Sequence, residues 1–215
     1  MDTPESKEQV LQKAKHYFED NDRDLLLSPP LKRAAYSDRM AWVLASMSQL
    51  AYDHFEAGGD EREIFIEKLK SGGFELLDEF NDAESSTQAF LALNTRNQYV
   101  VLAFRGSQEK HDFLVDATLG KVSAMDASTG HHKAFRKAYQ DINAKVNIHE
   151  GFSESYKKVQ ADIEESLKEN LNDMPLYITG HSLGAALATV ATFSLEQNKF
   201  FRDGIAACYT FGSPR

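Results

Sequence analysis

The stretch Leu176-Tyr177-Ile178-Thr179-Gly180-His181-Ser182-Leu183-Gly184 places a serine between two glycines in the pattern G-x-S-x-G. The apolar residues Pro175–Thr179 predict a short strand, and the alanine-rich segment Ser182–Phe193 predicts a helix. A serine on such a sharp turn needs neighbours with almost no side chain, because the turn strains the backbone and brings strand and helix close together. The turn also puts the hydroxyl at a helix N-terminus, where developing negative charge is favoured. Ser182 is therefore predicted to be a nucleophile.

His181 stands next to the predicted nucleophile, and an imidazole is a common general base. Side chains of adjacent residues on a strand-to-helix turn point away from each other. The sequence therefore predicts a structural role for His181.

On both sides of this turn, the pattern of apolar residues predicts further strands and helices. Three short apolar runs, 74–80, 87–93 and 98–104, are separated by turns that contain Asn or Asp, which is typical of antiparallel strands. One long amphipathic helix is predicted by apolar residues spaced three or four apart, namely Phe152, Tyr156, Val159, Ile163, Leu167 and Leu171. Ile205–Phe211 predicts one more strand. Alternating strands and helices indicate an α/β fold with a mostly parallel sheet flanked by helices.

The first part of the chain is predicted to form a helical extension. Thr3 is the expected N-cap of a first helix, with Pro4 at its first position. The break Ser28-Pro29-Pro30 cannot lie inside a helix, so we expect an extension and linker over 1–33 and a main domain over 34–215. Ser37-Asp38 predicts the start of the next helix.

The composition excludes several function classes. The 215 residues carry a net charge of −9, which disfavours nucleic-acid binding because phosphate contacts need clustered Lys and Arg. No apolar run is long enough to span a bilayer, and the first residues lack the pattern of a secretory signal. With the single cysteine Cys208, these features predict a cytoplasmic protein without a disulfide or a cysteine-based metal site.

The sequence resembles the class 3, or fungal-type, lipase family of the α/β-hydrolase superfamily. The similarity covers about residues 34–215, with its core motifs over 98–215. The matching motifs follow the family order: 35–39 with Leu50-Ala51-Tyr52, Val101–Ser107, Ile148–Phe152 with Ser155-Tyr156, Ile178–Gly184, and Tyr209–Arg215.

The resemblance implies three catalytic positions and a substrate class. Ser182 would be the acyl-accepting nucleophile. Ser107 would help form an oxyanion hole through its backbone N–H, with its hydroxyl as a further candidate donor, and Leu183 would give the second backbone N–H. Without the resemblance, Ser107 is a plain turn serine after a buried strand. A lipid ester would be the substrate, at a lipid–water interface, and no cofactor or metal is implied. The oligomeric state stays open.

Between Ser107 and the long helix, the sequence leaves alternatives open. The segment Gln108–Leu119 is either a lid helix that opens at a lipid surface, as the resemblance implies, or an amphipathic helix packed permanently on the body. His131-His132 lack a third ligand at suitable spacing and are predicted to lie on a solvated helix. His149 is predicted to be a structural residue of its turn.

The sequence after Ser182 lacks the histidine that a serine hydrolase needs. In α/β-hydrolases the triad order is Ser, then Asp or Glu, then His, but after Ser182 the chain has Glu196 and Asp203 and no histidine. The favoured explanation is a C-terminally incomplete fragment of a longer lipase-like protein. A natural relative that has lost catalysis and an upstream base such as His149 remain open. The predicted function is ester hydrolysis, with an inactive binding or regulatory module as the alternative.

Overall fold

The computed structural model describes residues 5–18, 36–55, 60–106, 121–123 and 147–214. Within these ranges the helices are α1 (Lys7–Ala14), α2 (Asp38–Phe55), α3 (Asp60–Ser71), α4 (Glu150–Asn170) and α5 (Leu183–Gln197), with a short 3₁₀ turn at Arg202–Gly204. The strands are β1 (Phe74–Asp82), β2 (Thr87–Asn94), β3 (Tyr99–Phe104), β4 (Lys121–Ser123), β5 (Asn147–His149), β6 (Leu176–His181) and β7 (Ile205–Phe211).

Five of the described strands form one mixed sheet in the order β1-β2-β3-β6-β7. The β1–β2 and β2–β3 pairs are antiparallel, as their short connecting turns predict, whereas the β3–β6 and β6–β7 pairs are parallel. In the parallel part Phe104 pairs with Gly180, and His181 pairs with Phe211. The carboxyl ends of β3, β6 and β7 therefore meet at one edge of the sheet, which is where α/β folds place their sites. β4 and β5 form a separate antiparallel pair.

Helices cover both faces of the sheet, and β3 lies between the two resulting cores. All six β3 residues are buried, as expected for a continuous apolar run in a central strand. Val100, Leu102 and Phe104 face the core under α4 and α5. Tyr99, Val101 and Ala103 face the core under α2 and α3. The predicted α/β class with a helix-flanked sheet is thus the observed one.

The predicted N-cap of the first helix is wrong. The helix begins at Lys7 and its N-cap is Ser6, because Ser6 and Gln9 form a reciprocal capping box that satisfies two backbone donors. Phe18, just beyond this helix, is buried in the same core as α2. The domain boundary near residue 33 falls outside the described residues and stays a prediction. At the next helix, the Ser37 hydroxyl accepts the Met40 N–H at 3.3 Å, as the predicted cap requires.

Candidate active site

Ser182 forms the turn between β6 and α5. Its backbone has φ 55° and ψ −122°, a combination that residues with a side chain rarely adopt. The Ser182 N–H donates to the carbonyl oxygen of Phe211 at 2.9 Å, so β7 holds the turn from one side. From the other side, the Ala185 N–H donates to the Ser182 carbonyl oxygen at 3.0 Å. The neighbouring structure thus imposes the strained conformation that the G-x-S-x-G pattern predicts.

The two glycines of the pattern allow three backbone segments to touch. A β-carbon on Gly180 would lie closer than 3.0 Å to the backbone of Gly184, the second residue of α5. A β-carbon on Gly184 would lie equally close to the carbonyl oxygen of Phe104, at the end of β3. Because these neighbours are backbone atoms, no side-chain rearrangement relieves the overlap. The glycine spacing therefore reflects direct packing of α5 on β3 and β6.

The Ser182 hydroxyl is not used to cap α5. A serine at an N-cap usually accepts a hydrogen bond from the first turn of its helix, but among the described residues Ser182 makes no such bond. Leu183 is the first residue of α5, and its N–H is one of the four at a helix start without a partner inside the helix. The turn thus combines a partly exposed serine with N–H groups at a positive helix end.

Ser107 and the predicted lid segment 108–119 lie outside the described residues, as do His131 and His132. The backbone that leads into Ser107 is described. A β-carbon on Gly106 would lie closer than 3.0 Å to the carbonyl oxygen of His181 and to the hydroxyl of Tyr52. The chain just before Ser107 therefore lies directly against the chain just before Ser182.

The side chain of His181 is held by Tyr52, a residue for which no role was predicted from the sequence. The Tyr52 hydroxyl and His181 Nδ1 are 2.9 Å apart, and the two ring centroids are 5.9 Å apart. The only sequence signal was the position of Tyr52 in the Leu50-Ala51-Tyr52 motif of α2. Nothing in the local sequence relates α2 to the turn at Ser182, since that contact spans 129 residues.

Beneath the turn, the buried hydroxyl of Thr179 links β6 to its neighbours. It lies 2.9 Å from the carbonyl oxygen of Tyr209 on β7 and 3.2 Å from that of Leu44 on α2. The Ser48 hydroxyl is also 2.9 Å away. These bonds tie β6, β7 and α2 together two residues before His181.

The two carboxylates that follow Ser182 in sequence lie far from it. Glu196 is near the C-terminus of α5, about 20 Å along the helix from its start at 1.5 Å per residue. Asp203 precedes β7, and its side chain is 88% exposed at the amino edge of the sheet. Because β6 and β7 are parallel, this edge is opposite to the one that carries Ser182. Neither acid can orient a base at Ser182.

Cys208 and His149 were the remaining candidates for reactive groups, and neither is described as one by the structure. Burial raises the pKa of the Cys208 thiol on β7, so it stays protonated at neutral pH and is a poor nucleophile. His149 ends β5, where it pairs with Lys121 through the backbone, and its side chain is not described. Within the described ranges, no group of three or more His, Cys, Asp or Glu side chains is arranged to hold a metal ion.

The same ranges contain no helix of the length and apolar character required to cross a membrane.

Comparisons with known proteins agree on one protein family. A family model described as "Lipase (class 3)" matches residues 101–215, more than half of the chain. The secreted mono- and diacylglycerol lipase A of Penicillium cyclopium is 32% identical over 141 residues, which is 64% of this chain and 40% of that protein. The secreted mono- and diacylglycerol lipase 1 of Fusarium solani is 28% identical over 130 residues, or 59% of this chain and 33% of that protein.

Solved structures agree on the fold. A triacylglycerol lipase whose catalytic centre is described as a serine protease triad superposes with a TM-score of 0.55 at 20% identity, covering 83% of this chain and 63% of that one. This likeness supports the α/β-hydrolase fold. The chain spans only a third to two fifths of the length of the two curated relatives, at 33% and 40%.

The predicted cytoplasmic location is contradicted by these relatives. Both are named as secreted lipases, which points to an extracellular location. Cys208 does not indicate a compartment, because one cysteine shows only that this stretch cannot form an internal disulfide. An oxidising compartment acts on pairs of thiols, so a chain with a single cysteine is compatible with either environment.

The matched residues begin on β3 and include the turn at Ser182, and the fold agrees with that of solved lipases. The chain therefore belongs to the class 3 lipase family of the α/β-hydrolase superfamily.

Proposed function

We propose that this chain carries the nucleophile and the oxyanion hole of a lipid ester hydrolase acting on acylglycerols or related esters. The observation that carries the proposal is the backbone of Ser182, at φ 55° and ψ −122° between β6 and α5. This strain persists only because β7, α5 and two glycines enforce it, and such strain is concentrated at functional sites. The names of the relatives as mono- and diacylglycerol lipases support the substrate class.

In the proposed reaction the Ser182 oxygen attacks the ester carbonyl carbon. A bond forms between this oxygen and the carbon, and the hydroxyl proton passes to a general base. The carbonyl oxygen becomes negatively charged and accepts hydrogen bonds from the backbone N–H groups of Leu183 and Ser107. Collapse of the intermediate breaks the bond to the alcohol, which leaves with the proton, and water then releases the fatty acid from Ser182.

The role proposed for Leu183 follows from its place at the start of α5. Its N–H projects from the helix N-terminus beside Ser182, where the helix dipole also favours negative charge. The role of Ser107 is supported by its neighbour, because Gly106 abuts the carbonyl of His181 and so brings the β3 loop beside the nucleophile turn. Each oxyanion donor is worth about 10²–10³ in rate in well-studied hydrolases.

A second candidate is a lipase-like module that binds lipid esters without hydrolysing them. It is favoured by the positions of Glu196, near the far end of α5, and of Asp203, at the opposite sheet edge, since neither acid can orient a base at Ser182. Both candidates use the same site and differ in whether a base serves Ser182.

The test combines covalent labelling with turnover. A fluorophosphonate probe reports on the serine alone, since the Ser182 oxygen bonds to phosphorus while fluoride leaves and the hydroxyl proton goes to base or solvent. We expect slow labelling of the 215-residue chain at Ser182, lost in Ser182→Ala and unchanged in Ser213→Ala, a matched change at an exposed serine. Labelling at any other serine would contradict the proposed nucleophile.

Turnover of a p-nitrophenyl ester separates the two candidates. Because the residues after Ser182 provide no base, we expect little turnover that depends on Ser182 in the 215-residue chain. Robust hydrolysis that Ser182→Ala abolishes would show that an upstream residue serves as the base. A longer chain that gains Ser182-dependent hydrolysis would support the enzyme, and one that gains none would support the binding module.

A further inference from the structure

The ring of His181 is enclosed on two sides by groups from distant parts of the chain. Tyr52 of α2 reaches Nδ1 with its hydroxyl at 2.9 Å. On the other side, a β-carbon on Gly212 would lie 3.2 Å from Nε2, so the turn after β7 runs beside the ring. Gly212 has φ 56°, a conformation that favours glycine. The two neighbours thus lie beside both ring nitrogens, although His181 itself is exposed.

The Tyr52 hydroxyl also contacts the loop that leads to Ser107. A side chain on Gly106 would collide with this hydroxyl and with the His181 carbonyl oxygen, because both positions are already occupied. One hydroxyl thus meets the residue before Ser107 and the residue before Ser182. These are the two backbone segments that carry the proposed oxyanion donors.

We propose that Tyr52 is a positioning residue of the nucleophile turn, which acts through His181 and Gly106 to fix the two backbone segments that precede the proposed oxyanion donors. This inference rests on the proposed function of Ser182. An oxyanion hole works only if both donors lie about 2.7–3.1 Å from the developing charge, so a small shift between the two segments is costly. Tyr52 ties both segments to the same face of α2, which Thr179 and Leu44 anchor to β6.

A purely stabilising role for Tyr52 would have a different consequence. A hydrogen bond at the protein surface contributes only modestly to folding stability, and its loss would lower stability without changing the chemistry of folded molecules. A positioning role instead changes the state of the His181 ring and the reactivity of Ser182 in molecules that remain folded. The test therefore uses Tyr52→Phe, which keeps the ring and removes only the hydroxyl.

The first measurement is the ¹⁵N spectrum of the histidine side chains in the 215-residue chain. The His181 signals are assigned by their absence in His181→Leu. The bond to Tyr52 sets which ring nitrogen carries the proton, so Tyr52→Phe should shift the Nδ1 and Nε2 signals of His181. Tyr17→Phe is the matched control, since it removes another tyrosine hydroxyl, 3.4 Å from the Ser46 carbonyl oxygen on the far side of α2. It should leave the His181 signals unchanged.

The second measurement is fluorophosphonate labelling, with the maximal rate and the probe affinity determined separately. We expect Tyr52→Phe to lower the maximal rate at Ser182 about tenfold with little change in affinity, since the probe's oxyanion needs the same donors. His181→Leu should have a similar effect, and the double variant should be no slower than either single one. Tyr17→Phe should label like the unmodified chain.

Unchanged His181 signals and an unchanged labelling rate in Tyr52→Phe would overturn the positioning role. Shifted signals with an unchanged rate would also overturn it, because the hydrogen bond would then be only structural. If the unmodified chain were not labelled at Ser182 at all, the proposed function would fail and the positioning role with it. In that case the spectra would still show whether the Tyr52–His181 bond exists, so the two failures remain distinguishable.

Discussion

The α-carbon of Gly184 packs against the carbonyl oxygen of Phe104, so closely that a β-carbon at position 184 would approach this oxygen to less than 3.0 Å. The contact joins the first turn of α5 to the end of β3, the strand that leads to Ser107. The family pattern around Ser182 is therefore a packing requirement as well as a chemical one.

This contact predicts that Gly184→Ala destabilises the fold, although alanine is the better helix former. The overlap with immobile backbone should outweigh the propensity gain and lower the free energy of unfolding by about 2 kcal/mol. Urea denaturation measures the change. Gly204→Ala is the matched control, because its β-carbon would meet a δ-methyl group of Leu171 at 3.1 Å and its nearest backbone contact, the Met174 carbonyl oxygen, only at 4.0 Å. Its effect should stay below about 1 kcal/mol. Equal losses in both variants would contradict the packing argument.

The strain at Ser182 predicts that glycine is more stabilising than alanine at this position, whereas at Ser46 alanine is more stabilising than glycine. At Ser182 glycine accepts the positive φ that alanine does not, so Ser182→Gly should be about 1 kcal/mol more stable than Ser182→Ala. At Ser46, inside α2, glycine should be about 1 kcal/mol less stable than alanine. Thermal unfolding of the four variants measures both differences. The same sign at both positions would mean that Ser182 is not strained in solution.

A substitution at Phe18 tests whether the N-terminal helix unfolds cooperatively with the rest of the domain. Its ring is fully buried and packs on Trp42 and Phe74 with centroids 5.8 Å away in both cases. Phe18→Ala should therefore cost about 3–5 kcal/mol. Phe200→Ala, at a ring that is 59% exposed, should change stability by less than about 0.5 kcal/mol. Chemical denaturation measures both values, and a small loss for Phe18→Ala would indicate an extension that unfolds independently.

The carboxyl of Asp82, at the β1–β2 turn, is expected to contribute to folding stability in a pH-dependent way. The Ser85 hydroxyl and then the Ser85 N–H, at 2.6 and 2.7 Å, hold the pKa of the Asp82 carboxyl below its usual value. A group with a lowered pKa in the folded state stabilises the fold above its unfolded pKa, about 3.9, and loses this effect as the pH falls through the folded pKa. The stability advantage over Asp82→Asn should thus be constant near neutral pH and shrink below about pH 4.

Urea midpoints of both proteins between neutral pH and acid check this expectation. As a control, the unmodified chain and Asp82→Asn are compared again, each carrying Ser85→Ala. Because this change removes the main hydrogen-bond donor to Asp82, it should weaken the pH dependence of their stability difference. A difference that grows toward acid would reverse the assigned direction.

The elements with a strong local pattern were predictable. The apolar run of β3, the three- and four-residue spacing of α4, and the cap at Ser37 all depend on neighbours in sequence, and the structure agrees with each. The cap of the first helix was missed because Thr3-Pro4 and Ser6–Gln9 are competing signals, and only the reciprocal bonding of Ser6 with Gln9 decides between them. The location was missed because a low cysteine count carries no information about the compartment.

The sequence by itself determined the α/β class, the candidate nucleophile Ser182 and the family, since a strand, a glycine-bracketed serine and a helix are encoded by adjacent residues. Only the tertiary structure decided what surrounds this serine. Tyr52 meets His181 across 129 residues. Asp203 falls at the opposite sheet edge because β6 and β7 are parallel, and Glu196 lies at the far end of α5. Local residue preferences specify the elements, but the contacts between distant segments depend on how those elements pack.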